Sequence, residues 1–336
     1  MVVLASVTSQ SRRVQAAGLK IPDVLGFLLA GVVLGDAGLH VVHIPLASQS
    51  TGIVIALAAS VILYECGHDL DRAILGSAWR SLLLLVSAGV VITAGLAAYA
   101  SHVAFGWDWQ TAVLFGTIVA ATDPAAVIPV MRQSGVSQRI SNVAQAESAL
   151  NDVIGAVLTI FVLAIVQGSH FSRPAAVSTV AVTVLYGAAF VAGLAHRGER
   201  QPIFSTLTFL ARLVVFVILG AALNPGAAAF PWLATALFAA AFMLLIRPAA
   251  VFASLWADRV HRWNLRELLM LSWVRETGVI SAALAANVAA LTIPNAESIV
   301  AKTTAVIVAT VVIQGLTTGR LARALGVANA PPASGT

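Results

Sequence analysis

Four polar side chains share one stripe of an otherwise apolar stretch: Glu147, Ser148, Asn151 and Asp152. Glu147 and Asn151 are four residues apart, as are Ser148 and Asp152. Successive helical residues turn by about 100°, so all four fall on one face. Oxygen atoms from such a stripe can replace part of a cation's hydration shell. A carboxylate in it can also take a proton. Burial disfavours the charged carboxylate, whereas a nearby cation favours it. One carboxylate can then hold a proton or a cation, but seldom both. That competition is the least machinery an exchanger needs.

The stretch around them, residues 142–166, is mostly Ala, Val, Leu and Ile. The whole chain of 336 residues is 59% hydrophobic and 10% charged, with a mean hydropathy of +0.93. Soluble domains are about a quarter charged, so this composition suits a bilayer and excludes an ordinary soluble globule. Ten stretches reach or approach the ~20 residues that cross the hydrocarbon: 21–36, 49–67, 81–105, 110–131, 142–166, 175–195, 203–223, 229–254, 267–290 and 298–318. Fourteen of the 19 basic residues lie in one set of alternate connecting segments, both ends included. The other set holds Arg173 and Lys302, and Arg212, Arg247 and Arg275 lie within spans. The positive-inside rule therefore places both termini in the cytoplasm. The basic residues are scattered without interleaved aromatics, so the high isoelectric point reflects topology and no nucleic-acid partner is expected. Met1 to Ser9 is short and runs into Arg12 and Arg13 without a cleavage pattern, so no cleavable signal peptide is expected. The single Cys66 excludes an internal disulfide. Residues 1–320 are expected to form one transmembrane domain and 321–336, ending in "ANAPPASGT", a disordered cytoplasmic tail.

Five carboxylates fall within the predicted spans: Glu65, Asp123, Glu147, Asp152 and Glu276. A charge at mid-membrane costs at least about 2.5 kcal/mol on the insertion scale, so five acids beside buried arginines indicate a functional polar core. Two spans are also interrupted. "GTIVAATDPAAVIPV" sets Thr122-Asp123-Pro124 in mid-span, with Pro129 following, and proline removes a backbone donor and clashes with the preceding turn. "LSWVRETGVISAALA" is broken at Arg275, Glu276, Thr277 and Gly278. Irregular backbone at mid-membrane lines ion sites in transporters, and paired broken segments in two halves point to an inverted-repeat fold. Asp123 beside its break can compensate exposed N–H groups at a half-helix N-terminus.

Here the chain resembles a known family. "ESALND" is similar to the Glu-Ser-x-x-Asn-Asp motif of monovalent cation:proton antiporters of the NhaP and NHE type, and "ATDP" to their Thr-Asp-Pro break. "GFLLAGVVLG", "LYECGHDLD", "LLIRPAAVF", "VRETGVISAALA" and "VVIQGLTTGRLARALG" resemble further spans, so the likeness covers nearly the whole chain. It implies an all-α polytopic membrane protein with an inverted-repeat, NhaA-like core and two discontinuous crossing helices. It implies exchange of Na⁺, or K⁺ or Li⁺, for H⁺ by alternating access, in a homodimer in the inner (plasma) membrane, bathed in lipid. Asp152 would bind the cation or proton, with Ser148, Thr122 and Glu65 as further oxygen ligands. Asn151 would hold the core. Glu147 would form a buried ion pair with Arg247, and Asp123 and Arg275 would neutralise the half-helix ends. An Asn-Asp pair in place of two adjacent Asp residues implies electroneutral one-for-one exchange.

Two departures stand out. Family members carry a basic residue then Gly-Ala-Val in the second break, where this chain has Arg275-Glu276-Thr277-Gly278. They also have twelve or thirteen spans. Here Met1 to Ser9 resembles the stump of a first span, and one span stands between 142–166 and 203–223 where three are expected, so the chain reads as shortened on its dimerisation side.

The other residues fit plainer roles. His40, His43, His68, His102, His170, His196 and His261 fall in loops or near span ends, without metal-ligand spacing. The tryptophans lie mostly near span ends, as in an interfacial belt. No dinucleotide fingerprint or P-loop appears, so no cofactor and no enzymatic activity are expected. Arg212, in "FLARLVVF", has no partner readable from sequence. Three rival readings are an aspartyl protease with an Asp123–Asp152 dyad, an acid-lined cation channel, and a truncated inactive or regulatory relative. The protease context Gly-x-Gly-Asp is missing, and carboxylates beside arginines in paired breaks favour alternating access over a channel.

Overall fold

The computed structural model describes residues 23–41, 43, 48–68, 70, 72–123, 130–131, 134–167, 185–189, 191–193, 195, 202–222, 231–290 and 293–328. Among them the architecture is all-helical, with one isolated bridge between Val136 and Ala328. The helices are α1 (Asp23–Leu34), α2 (Gln49–His68), α3 (Arg72–Leu84), α4 (Val90–Phe105), α5 (Trp109–Ala120), α6 (Gln138–Gln167), α7 (Pro202–Ala221), α8 (Trp232–Ala241), α9 (Arg247–Trp256), α10 (Leu265–Trp273), α11 (Val279–Ala290) and α12 (Ala296–Ala324). Among the described residues six stretches are long and apolar enough to cross a membrane: Ser50–His68, Ala78–Phe105, Gln138–Val166, Ile203–Ala221, Trp232–Trp256 and Ala296–Leu325. Val24–Leu34, Trp109–Ala120 and Val279–Ala289 are shorter apolar helices. Most of the stretch expected at 175–195 lies outside the described residues, as do Pro124, Pro129 and Met1 to Ser9. The helix of the last span runs past the expected boundary at 320 to Ala324, and Ser137 N–H bonds Val327 O at 3.1 Å. The described residues run to Ala328, and residues 329–336 lie outside them.

One sequence of elements occurs twice along the chain. A span bent by a π-helical turn is followed by an interrupted segment and then a long helix. The first set is α3–α4 with a π turn at Leu85–Gly89, α5, and α6. The second is α8–α9 with a π turn at Phe242–Ile246, the α10–α11 pair, and α12. The second π turn has a clear cause: Pro248 has no N–H to return to the preceding turn, and the ladder widens ahead of it. At the first, Ser87 Oγ donates to Leu83 O at 2.5 Å, a side-chain bond that bends helices. Side-chain caps start α5 and α10. Asp108 accepts from Thr111 N–H at 3.0 Å, and Asn264 and Glu267 form a reciprocal capping box.

Helices α1 and α7 pack closely, with α7 also lying on α2. Small residues permit this approach: a Cβ on Gly31 would meet Val217 O at 2.3 Å, and one on Gly220 would meet Leu28 O at 2.2 Å. Large apolar side chains such as Leu237, Leu244 and Leu245 remain exposed. Lipid can cover such a surface where water cannot.

Candidate functional site

The span expected at 267–290 is two helices. α10 ends at Trp273, residues 275–278 are non-helical, and α11 begins at Val279. The first interruption begins after Ala120, where Ala121 adopts an extended conformation (φ −62°, ψ 138°) and Thr122 and Asp123 continue outside the helix. Pro124 disfavours helical backbone at Asp123. The two breaks touch. Asp123 N–H donates to Glu276 O at 2.9 Å, and Ser281 Oγ donates to Ala121 O at 3.3 Å. The Asp123 carboxylate lies 3.5 Å from Val279 N, at the N-terminus of α11, where the helix dipole favours negative charge.

The stripe on α6 faces this crossing. Glu147, Ser148, Asn151 and Asp152 are all buried, with exposures of 3%, 3%, 0% and 2%. Asn151 Nδ2 donates to Ala120 O (3.2 Å), Thr122 Oγ1 (2.8 Å) and Glu147 Oε1 (3.1 Å). This amide therefore ties α6 to the freed end of α5. Ser148 Oγ donates to the Thr122 carbonyl, and its lone pairs remain able to accept. Asp152 Oδ1 is buried without a hydrogen-bond partner among the described residues. An unpaired buried carboxylate oxygen is costly, so it calls for an occupant.

The ion pair of Glu147 differs from the sequence expectation. Its Oε1 lies 2.8 Å from Arg275 Nη2, so the pair joins α6 to the second break. Arg247 instead donates from Nη2 to Thr277 Oγ1 at 2.9 Å, and its guanidinium sits 4.6 Å from the centre of the Phe242 ring. The cause is position. Arg247 follows the π turn directly, which aims it across Phe242 toward the break and leaves Glu147 to Arg275. Arg247 still lies within electrostatic reach of Glu147 and Glu276. Thr277 N–H is held by Thr310 Oγ1 of α12 at 3.2 Å.

Glu65, near the end of α2, lies 3.7 Å from Arg212 Nη2 of α7. Sequence reasoning singled out both residues and could not pair them, since nothing in either segment indicates that α2 and α7 adjoin. It also gave no role to Ser281 or Thr310, whose polarity within apolar helices was the available signal.

Comparison with known proteins identifies the family and the fold. The family model described as "Sodium/hydrogen exchanger, transmembrane" matches residues 2–197 and 188–324. The chain belongs to the sodium/hydrogen exchanger family. Within that family it is 29% identical over 181 residues to the Na⁺/H⁺ antiporter NhaS2 of Synechocystis sp., covering 54% of this chain and 32% of that protein. It is 23% identical over 367 aligned residues to the K⁺/H⁺ antiporter NhaP2 of Shewanella sp. strain MR-4, covering 91% of this chain and 63% of that protein. The chain thus spans less than two thirds of either relative. Among solved structures, the sodium proton antiporter MjNhaP1 from Methanocaldococcus jannaschii at pH 8 shares the fold, with a TM-score of 0.77 and 21% identity over 96% of this chain and 97% of that one. The exchanger-family fold is therefore a multi-pass helical membrane fold, and the α5 break, the α10–α11 break and α6 form its polar centre here.

Proposed function

We propose that the protein is a secondary antiporter that exchanges a monovalent cation, Na⁺ or K⁺, for protons, with the two competing at Asp152. The charge balance of the centre carries this reading. Of its five carboxylates, Glu147 has Arg275, Glu65 has Arg212, and Glu276 has Arg247 within electrostatic reach. Asp123 faces the positive end of α11. Asp152 has no close ion pair among the described residues: its Oδ1 is buried without a hydrogen-bond partner and Arg212 reaches it only through its field, so it can be neutralised by something that arrives, a proton or a cation. Ser148, Thr122 and Glu65 supply further oxygens, and Asn151, Asp123, Arg247 and Arg275 hold the breaks in register.

The recurring order of bent span, broken segment and long helix supports an inverted-repeat core within about ten spans. Rocking or sliding of that core against α1, α2 and α7 would carry the site between the two faces. The basic residues support a cell-membrane protein with both termini cytoplasmic. The family resemblance supports a homodimer and electroneutral exchange. No organic cofactor enters the mechanism; the partners are the cation, H⁺ and lipid.

The test is dissipation of an imposed pH gradient in proteoliposomes on adding Na⁺, K⁺ or Li⁺ in turn. Exchange by the wild type and its loss in Asp152→Asn are expected. Cation flux uncoupled from protons would instead indicate a channel, and silence of an inserted wild type toward every cation would contradict exchange.

A further inference from the structure

Among the described residues, Arg212 is an arginine near the centre that has no hydrogen bond or ion pair to either break. It stands on α7, which packs on α2, and its guanidinium approaches Glu65 at 3.7 Å. That is about an ångström longer than a tight charge-assisted bond. Its Nε is buried without a hydrogen-bond partner among the described residues. Asp152 and Asp123 also lie within its electrostatic reach. The Arg212 and Glu65 side chains keep 30% and 13% of their surface exposed, and a partly exposed pair at this distance contributes little as a staple between α2 and α7. This contact is loose and faces three carboxylates. Glu65, expected as a ligand of the cargo, is held by a cation of the protein itself.

We infer that Arg212 is a tethered counter-cation of the ion site: it balances Glu65 and Asp152 in the empty carrier, and the entering cation displaces its charge. The inference rests on the antiport reading. Arg212 is then a residue that sets cargo affinity, approaching Glu65 and acting on Asp152 through its field rather than touching the cargo. With Arg212 in place the deprotonated site is less negative, so the cargo binds more weakly and leaves more readily. A unit charge this close to a site in a protein-like dielectric changes affinity by about ten-fold or more.

The experiment measures KM and maximal rate for Na⁺ in proteoliposomes at pH 8.5, where protons compete least, for the wild type, Arg212→Gln, Arg212→Met and Arg212→Lys. The expected result is a KM about ten-fold lower in both neutral variants, with Lys within about twofold of the wild type. A KM that is unchanged in the neutral variants overturns the inference, and so does one that rises, since Arg212 would then merely hold Glu65 as a ligand. A wild type that exchanges no cation sinks the antiport reading itself, a distinct outcome. Where loss of Arg212 alone leaves Glu65 unpaired and the protein unstable, Glu65→Gln is compared with Glu65→Gln/Arg212→Gln, which removes both charges together. The double variant has the lower KM if Arg212 is a counter-cation, and an equal KM if Arg212 acts only through Glu65.

Discussion

Gly278 and Asp123 lie against each other where the two interrupted segments cross. A Cβ on Gly278 would stand 2.0 Å from the Asp123 Cβ and 2.7 Å from its Oδ2. Asp123 N–H meanwhile bonds Glu276 O two residues before Gly278. The crossing therefore needs a residue without a side chain at 278. Substituting Gly278→Ala should separate the breaks and cost at least the ~1–3 kcal/mol typical of overpacking. The check is thermal unfolding of the detergent-solubilised protein beside its cation-driven proton flux. Both should fall, and a variant with wild-type melting and flux would refute this packing.

Glu147 and Arg275 should behave as a coupled pair. Removing one partner of a buried pair leaves an uncompensated charge and costs about 3–5 kcal/mol. Glu147→Gln and Arg275→Met should each destabilise by that order, and the double variant by clearly less than their sum. The same cycle with Arg247→Met should couple more weakly, since Arg247 contacts Thr277 and Phe242 and reaches Glu147 only through its field. Stronger coupling to Arg247 than to Arg275 would restore the pairing expected from sequence.

A second polar junction lies beyond the spans, between α9 and α10. Asp258 accepts from Ser81 Oγ of α3, from Val260 N and His261 N at 3.2 Å each, and bonds the His261 ring at 2.8 Å. Trp263 Nε1 also donates to Ser81, and Arg139 of α6 covers the Trp263 ring at 4.1 Å. Burial opposes the charge on Asp258, but the bonds from Ser81 and His261 outweigh it and hold its carboxyl below the usual carboxylate range. A carboxyl depressed on folding lends stability that is fully present above its unfolded value, about 3.9, and is lost as pH falls through its lower folded value. Asp258→Asn should cost about 1–3 kcal/mol at pH 7. The melting gap between variant and wild type should narrow as the pH drops below about 4. A gap that stays constant from pH 7 to pH 3 would exclude this carboxylate as its source.

Much of the architecture could be read from the chain because length and hydropathy act locally. The runs at 49–67, 81–105, 142–166, 203–223 and 229–254 coincide with long apolar helices, and the polar interruptions at Thr122-Asp123 and Arg275–Gly278 coincide with non-helical backbone. The Glu147–Asn151 spacing placed four polar groups on one buried face, since helical geometry alone does that. Ion pairing was less accessible. Arg212, Arg247 and Arg275 are equivalent as sequence signals, and their partners depend on the π turn before Arg247 and on the packing of α7 against α2. The bend itself was latent in Pro248, which sequence reading passed over. The division of 267–290 into α10 and α11 was foreshadowed by Gly278, but the 2.0 Å approach to Asp123 comes from tertiary packing.

On the proposed mechanism one carboxylate, Asp152, takes either the proton or the cation. The most direct measurement is the KM for the transported cation as a function of pH on the same side of the membrane, at fixed opposite-side pH. Competition at a single site predicts a KM that rises about ten-fold for each unit of acidification below the site's own titration, with an unchanged maximal rate. A KM independent of pH, with the maximal rate alone falling in acid, would contradict a shared site at Asp152.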